Sequence, residues 1–262
     1  MNHIRGCEYS LSPAPGADRR TIVFLHEGLG CAAMWRDFPR RLGDATGCGT
    51  LVYSRRGYGG SEPVSLPRPL DYMEEEGERE LPALLEALGI RAPILFGHSD
   101  GASIALCAAG SGLAVSGLIL EAPHVFCEEL SVRSIAHARE AYERGGLREK
   151  LIRWHRGNVD CAFRGWSDAW LDPRFRSWTI ERYLPAVRAP SLVLQGRDDQ
   201  YGTAAQLEAI ARGASGKVQL ELLEQCGHAP HKEQPERTLA LASAFVVGIK
   251  QELDRAARET AR

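Results

Sequence analysis

The segment Phe96-Gly97-His98-Ser99-Asp100-Gly101 constrains this chain more than any other. Its spacing is G-x-S-x-G. The apolar run Pro93-Ile94-Leu95-Phe96 precedes it and reads as a buried strand. The small-residue run from Ala102 to Ala109 follows and reads as a helix. A serine at a strand-to-helix corner is held in a strained backbone that pushes its hydroxyl out over the sheet edge. A non-glycine residue with positive φ costs roughly 1–3 kcal/mol. Gly97 and Gly101 suit that corner, because a Cβ at either place would crowd the turn. Alone, the pattern also describes an ordinary glycine-rich turn. The strand before it and the helix after it favour the corner.

The same alternation runs through most of the chain. Thr21-Ile22-Val23-Phe24-Leu25 reads as a buried strand that enters the loop His26-Glu27-Gly28-Leu29-Gly30. Helix is expected from Ala33 to Leu42 and strand at Thr50-Leu51-Val52-Tyr53. One long amphipathic helix is expected from Asp71 to Leu88, closed by Gly89. Further strands are expected at Gly117 to Leu120, Ser191 to Leu194 and Val218 to Leu222. Helices are expected from Ala204 to Ala211 and from Pro235 to Leu253. The N-terminus has room for one strand near Gly6 to Leu11. Between His124 and Tyr183 the pattern breaks into helices, with no strand of its own. This predicts an α/β fold, a mostly parallel central sheet flanked by helices. Residues 1–123 and 186–262 form its core. A helical lid, 124–185, is inserted after the sixth strand.

Bulk properties exclude several classes. A net charge of −2 and a pI near 6.5 give no basic excess for nucleic acid or an anionic membrane. The acidic run Glu74-Glu75-Glu76 with Glu78 and Glu80 reads as a solvated helix face. Seven scattered cysteines without a C-x-x-C pair argue against a disulfide framework or a structural zinc site, and point to a reducing cytoplasm. No signal core opens the sequence and no run is long enough to span a bilayer. No Walker lysine is present, and no G-x-G-x-x-G opens a helix after a strand, so no cofactor and no metal are expected.

Ligands of such sheets collect beyond the carboxyl ends of the strands. The loops expected there carry His26-Glu27-Gly28, Ser99, and Asp198-Asp199. Serine needs a base to take its proton, and the base needs an orienting group. Either Asp198 or Asp199 supplies a carboxylate; the residues alone leave both open, and either could instead cap the helix near Thr203. The base candidate is His228, on the loop after the Val218 strand, with His231 as competitor. His98 reads as a packing residue. Donors for a developing oxyanion are the backbone N–H of Asp100 and one from the first glycine loop, Gly28 or else Leu29.

The chain resembles the α/β-hydrolase superfamily, in its compact bacterial branch of serine esterases and carbon–carbon bond hydrolases. The resemblance rests on His26-x-Gly28, Arg56-Gly57-Tyr58-Gly59-Gly60-Ser61, Gly97-His98-Ser99-Asp100-Gly101, Gly196-Arg197-Asp198-Asp199, and Gly227-His228 with Glu233-x-Pro235. It implies Asp199 as the acid, His228 as the base, and a helical lid over the insertion. Two departures stand out. Glu27 follows His26 where the family commonly has glycine, and should turn away from a developing oxyanion or be neutralised. Asp100 follows the serine where many relatives have an apolar residue; it faces a polar substrate group or caps its helix.

The resemblance implies cofactor-independent hydrolysis of a small-molecule carboxylic ester or thioester through an acyl-enzyme, in a monomer or homodimer. The alternatives are carbon–carbon hydrolysis of a ring-cleavage product and a ligand receptor on the same fold. The insertion holds Trp154, Trp166, Trp170 and Trp178. Most of these should knit the lid together, with Trp166 the best candidate to touch substrate. An aromatic lid suits an apolar acyl or aromatic group. The lid arginines 133, 139, 148, 153, 156 and 164 read as a solvated face.

Overall fold

Eight strands form one sheet in the order β1-β2-β4-β3-β5-β6-β7-β8. The strands are β1 (Asn2–Ile4), β2 (Cys7–Ser12), β3 (Thr21–Leu25), β4 (Gly49–Tyr53), β5 (Ile94–His98), β6 (Gly117–Glu121), β7 (Ser191–Gly196) and β8 (Val218–Leu223). The structure is a computed structural model and describes residues 1–15 and 20–260. Pairing is antiparallel at β1–β2 and β2–β4, and parallel from β4 through β8. The N-terminus therefore supplies two strands rather than one. They escape the apolar pattern because both are short and mostly exposed or half-buried. Strands β3 to β6 are near-continuous apolar runs because helices cover both faces of the parallel part.

The helices are α1 (Phe38–Thr46), α2 (Tyr72–Glu75), α3 (Leu81–Ala87), α4 (Asp100–Gly110), α5 (Glu129–Arg144), α6 (Leu147–His155), α7 (Val159–Leu171), α8 (Ala204–Gly213), α9 (Pro230–Glu233) and α10 (Pro235–Thr260). The helix expected from Ala33 instead begins as a 3₁₀ turn at Ala32–Trp35 and continues as α1. The long helix expected over Asp71 to Leu88 is broken by a π turn at Glu76–Glu80. Gly77 lies in that turn. A Cβ there would come within 2.7 Å of the Ile104 carbonyl oxygen, so glycine lets this segment lie against α4. Glu74 and Glu76 are buried, not solvated. The Trp178 indole N–H donates to Glu74 at 3.3 Å, and Arg68 pairs with Glu76 at 3.1 Å. Burial of a carboxylate is tolerable when such donors replace water.

Helix α4 is apolar all round and buried along nearly its whole length, which suits a helix wedged between the sheet and the α2–α3 segment. Its start is the corner anticipated from the sequence. Ser99 has φ 53° and ψ −121°. A Cβ on Gly101 would stand 2.1 Å from the Leu25 carbonyl oxygen, and one on Gly97 2.4 Å from the Gly101 carbonyl oxygen. The two glycines thus let α4 start against the ends of β3 and β5. The chain leaves β3 toward β4 on one side and returns to β5 on the other, so strand order reverses at this point. A crevice opens there beyond the carboxyl ends.

Helices α5, α6 and α7 all fall between β6 and β7, and only an isolated bridge, Phe126 to Thr179, breaks the helical run. Aromatic contacts hold them: Tyr142 stacks on Phe163 at 3.7 Å, and Phe175 on Trp178 at 5.0 Å. Arg139 and Arg148 pair with Asp168 and Asp160 on the outside. No helix among the described residues is long and apolar enough to cross a membrane.

Substitution Gly101→Ala drives a methyl group into backbone that cannot retreat. Overpacking a core costs about 1–3 kcal/mol, and more against fixed backbone. The expected result is a loss of at least about 3 kcal/mol, or no soluble protein. Urea unfolding measures it; a variant as stable as the parent contradicts the close approach.

Candidate active site

The loop after each of β3, β5, β7 and β8 contributes to one cavity. Its walls are Glu27, Gly28 and Leu29; Ser99 and Asp100; His124; Ser131 and Ile135 from α5; Trp166 and Trp170 from α7; and Tyr201 and His228. Its volume is about 90 Å³.

His228 is held from one side. Its Nδ1–H donates to both oxygens of Asp199, at 2.9 and 3.0 Å. Asp199 is itself anchored by the Tyr201 backbone N–H at 2.8 Å and by the Gln195 amide at 3.1 Å. Burial alone would raise the Asp199 pKa, but His228 and the Tyr201 N–H outweigh it and leave it below the usual aspartate range. Asp198 is exposed and touches none of this. The two aspartates that the sequence left open are thus separated by burial and geometry. With Nδ1 occupied, the Nε2 of His228 is left for the cavity. Ser99 Oγ shares that cavity and makes no side-chain hydrogen bond among the described residues. Catalytic hydrogen bonds are often long in ligand-free sites and tighten around substrate.

His231 is elsewhere. It is buried, stacks against Trp35 at 4.5 Å, and donates from Nδ1 to Glu121 at 2.6 Å. His98 donates from Nε2 to the His228 carbonyl at 2.8 Å, so it ties the end of β5 to the His228 loop. Ligand-type atoms of His98, Glu121 and His231 lie within 4.8 Å of one another beneath the corner. The sequence offered no signal for this knot, because Glu121 and His231 are far apart in the chain.

The first glycine loop is braced from behind. Arg55 is fully buried, and its guanidinium donates to the carbonyls of His26 and Glu27. The His26 ring donates from Nδ1 to the Glu27 carbonyl at 2.7 Å and accepts the Arg55 backbone N–H at Nε2. In a trans peptide N–H and C=O point opposite ways. Drawing the Glu27 carbonyl toward Arg55 therefore turns the Gly28 N–H the other way. From above, His155 on α6 donates to the Leu29 carbonyl at 3.0 Å. Trp166 lies over Gly28 so closely that a Cβ there would meet its ring at 2.3 Å. The Asp100 N–H is one of the leading amides of α4, without a partner inside the helix.

The Glu27 carboxylate is held between Lys232 and His98. Lys232 on α9 holds its Oε1 at 2.9 Å, and His98 Nδ1 lies 3.5 Å from its Oε2. Desolvation pushes the Glu27 pKa up, but Lys232 and His98 overcome it and bring it well below the usual range. The Asp100 carboxylate accepts from the Tyr72 hydroxyl, and the Trp170 indole N–H donates to that hydroxyl at 3.1 Å. Arg55, Tyr72 and Lys232 were missed by sequence reasoning. Only the three-dimensional partners reveal them. None of the lid arginines named above lines the cavity among the described residues.

Residues 22–241 match the α/β hydrolase family. The chain is 28% identical to N-formylmaleamate deformylase of Pseudomonas putida over 218 residues, 75% of this chain and 77% of that protein. Its fold is similar to that of the proline iminopeptidase of Mycobacterium smegmatis, with TM-score 0.70, 19% identity, and coverage of 94% and 96% of the two chains. It is also similar to a thermophilic esterase of Thermogutta terrifontis, with TM-score 0.71, 20% identity, and 93% of each chain covered.

The depressed Glu27 pKa sets a pH signature. Such a group stabilises the fold above its unfolded pKa, about 4.3, and loses that contribution as pH falls through the lower folded value. Lys232→Met removes the partner. Because Lys232 is about a third exposed, the loss at pH 7 is discounted to about 1 kcal/mol. Denaturant titration should show the gap between parent and variant closing below about pH 4. A gap independent of pH contradicts the pairing.

Proposed function

Since the chain belongs to the α/β-hydrolase family, we propose that it is a cofactor-independent serine hydrolase that cleaves small carboxylic esters or thioesters through an acyl-enzyme. Ser99 is the nucleophile, His228 the base and Asp199 the group that orients it. Residues 124–185 act as the cap that closes the cavity. One observation carries the reading: His228 is locked by Asp199 through Nδ1 while its other nitrogen is left for the cavity that holds Ser99.

In the proposed cycle a neutral His228 takes the Ser99 proton at Nε2 as Oγ attacks the carbonyl carbon. The Asp199 carboxylate stabilises the imidazolium that forms and keeps Nδ1 protonated throughout. Negative charge grows on the carbonyl oxygen. The N–H groups of Gly28 and Asp100 receive it, and each such donor contributes about 2.7–4 kcal/mol to the transition state. His228 then gives its proton to the leaving oxygen or sulfur. Water, activated by the same imidazole, resolves the acyl-enzyme and restores Ser99. The burial of Glu27 against Lys232 supports this assignment, because a free carboxylate there would oppose the oxyanion.

The rings of Trp166 and Trp170 wall the cavity, and Trp166 lies close over Gly28, which favours a short acyl chain beside the donor loop. A second reading is hydrolysis of a small amide. The relative from Pseudomonas putida is named as a deformylase, and a one-carbon acyl group fits this space.

Ser99→Ala should keep the circular dichroism spectrum of the parent and lower kcat/KM on 4-nitrophenyl acetate by about 10⁴-fold or more. Retention of parental turnover overturns the reading. Trp166→Ala should open the cavity and shift preference from acetyl toward propanoyl esters by about tenfold, since one buried methylene is worth that order. An unchanged chain-length profile removes Trp166 from the acyl pocket.

A further inference from the structure

His228 has neighbours that the hydrolytic steps do not use. Asp199 takes its Nδ1–H, and Nε2 is left for the cavity. Three rings stand around the imidazole: Tyr201 with its centroid 4.7 Å away, His98 at 5.2 Å and His124 at 5.9 Å. Burial, with His228 nearby, holds the His124 ring neutral by pulling its pKa down to about 3. His98 spends its Nε2–H on the His228 carbonyl. Neither histidine therefore brings negative charge to the imidazole. Tyr201 is the nearest of the three, and it lines the cavity.

The place of the Tyr201 ring is set by its backbone. Its N–H donates to Asp199 at 2.8 Å, and its carbonyl accepts from the Ser131 hydroxyl at 2.5 Å. Ser134 donates to the Gln200 carbonyl at 2.6 Å. Serines three apart share one face of a helix, so α5 clamps the segment after Asp199 from the side of the insertion. The residue that anchors the orienting carboxylate by its amide thus sets its ring against the base. Burial and then the Asp199 carboxylate push the Tyr201 phenol up, so it stays neutral. What it offers His228 is the face of an uncharged ring. Such a face attracts a cation within about 6 Å of its centroid, most strongly where water is excluded. The His228 side chain is 13% exposed. A neutral imidazole gains little from the contact; the imidazolium gains more.

We propose that Tyr201 is a positioning residue of the base, whose ring stabilises the His228 imidazolium by a cation–π contact and so favours transfer of the Ser99 proton to Nε2. The inference rests on the serine-hydrolase reading above and deepens it. Asp199 acts on the imidazolium at Nδ1, and Tyr201 acts on the charge spread over the ring. The two come from one short segment, Asp199-Gln200-Tyr201, so the clamp from α5 places both at once.

Two measurements on the whole protein test it. NMR titration of the His228 ring, identified by its loss in His228→Ala, follows the imidazolium directly. In Tyr201→Leu the midpoint should fall by about half to one and a half pH units, which is about three- to thirtyfold. Asp199, His98 and His124, the titratable groups around the ring, are unchanged in that variant. The plateau of kcat/KM on 4-nitrophenyl acetate should fall by the same factor. That gap should close as pH drops below the midpoint, because free enzyme and transition state then both carry the imidazolium. Tyr201→Phe keeps the ring and should restore the plateau to within about twofold of the parent. Pentafluorophenylalanine at position 201 keeps the shape but reverses the charge distribution of the ring, and should lower the midpoint at least as far as leucine. If the leucine variant does not fold, this one decides. An unmoved midpoint overturns the inference. So does a loss of kcat/KM that is equal at every pH, which would mean that the ring only shapes the cavity. A parent that shows no ester turnover, with the midpoint shift intact, overturns the hydrolase reading and leaves the ring contact standing.

Discussion

The contact between the start of α4 and the end of β3 is the constraint on which the site depends. At Gly101 the two backbones come so close that no side chain fits between them. That approach fixes Ser99 in its positive-φ corner, and the corner sets its hydroxyl at the reversal of strand order. The strain of order 1–3 kcal/mol persists because the surrounding bonds over-determine it. The Ser99 N–H is held by the Glu121 carbonyl at 2.8 Å, and the Ser99 carbonyl takes the N–H of Ala102 at 2.8 Å. The same contact brings the His26–Gly30 loop beside Ser99. The nucleophile candidate and the donor loop are therefore positioned by one feature.

Around this corner the polar residues are braced from outside the cavity. Arg55 draws loop carbonyls backward, Lys232 draws Glu27 sideways, and His98 ties the β5 end to the His228 carbonyl. Each brace is a buried or half-buried charge or ring that would be costly alone. Paired, it fixes an orientation that an apolar residue of the same size would leave free. His155 and Trp166 extend the bracing into the helical insertion, so the insertion both covers the cavity and holds the loop beneath it.

Much of this was legible in the sequence, and the exceptions have a common physical cause. The strand-corner-helix at Ser99 was readable because local pattern and glycine placement both point to it. The loops bearing His228 and Asp199 followed from the strands before them. The choice of Asp199 over Asp198 needed the family resemblance, since their exposure depends on a loop held by Gln195 and Tyr201. The acidic run at Glu74 was misread as solvated because its partners, Trp178 and Arg68, come from other segments. The two N-terminal strands, the edge strand β1 and its neighbour β2, lack apolar runs because they are mostly exposed or half-buried. The role of Asp100 was left between two possibilities, because Tyr72 and Trp170 reach it only in the folded chain.

A fluorophosphonate probe reads the central claim most directly, since it reacts with a serine only where a base and an oxyanion site act on it together. Peptide mapping of the labelled protein should place the adduct on Ser99, with labelling lost in His228→Ala. An unlabelled Ser99, or an adduct on another residue with Ser99 intact, would contradict the account.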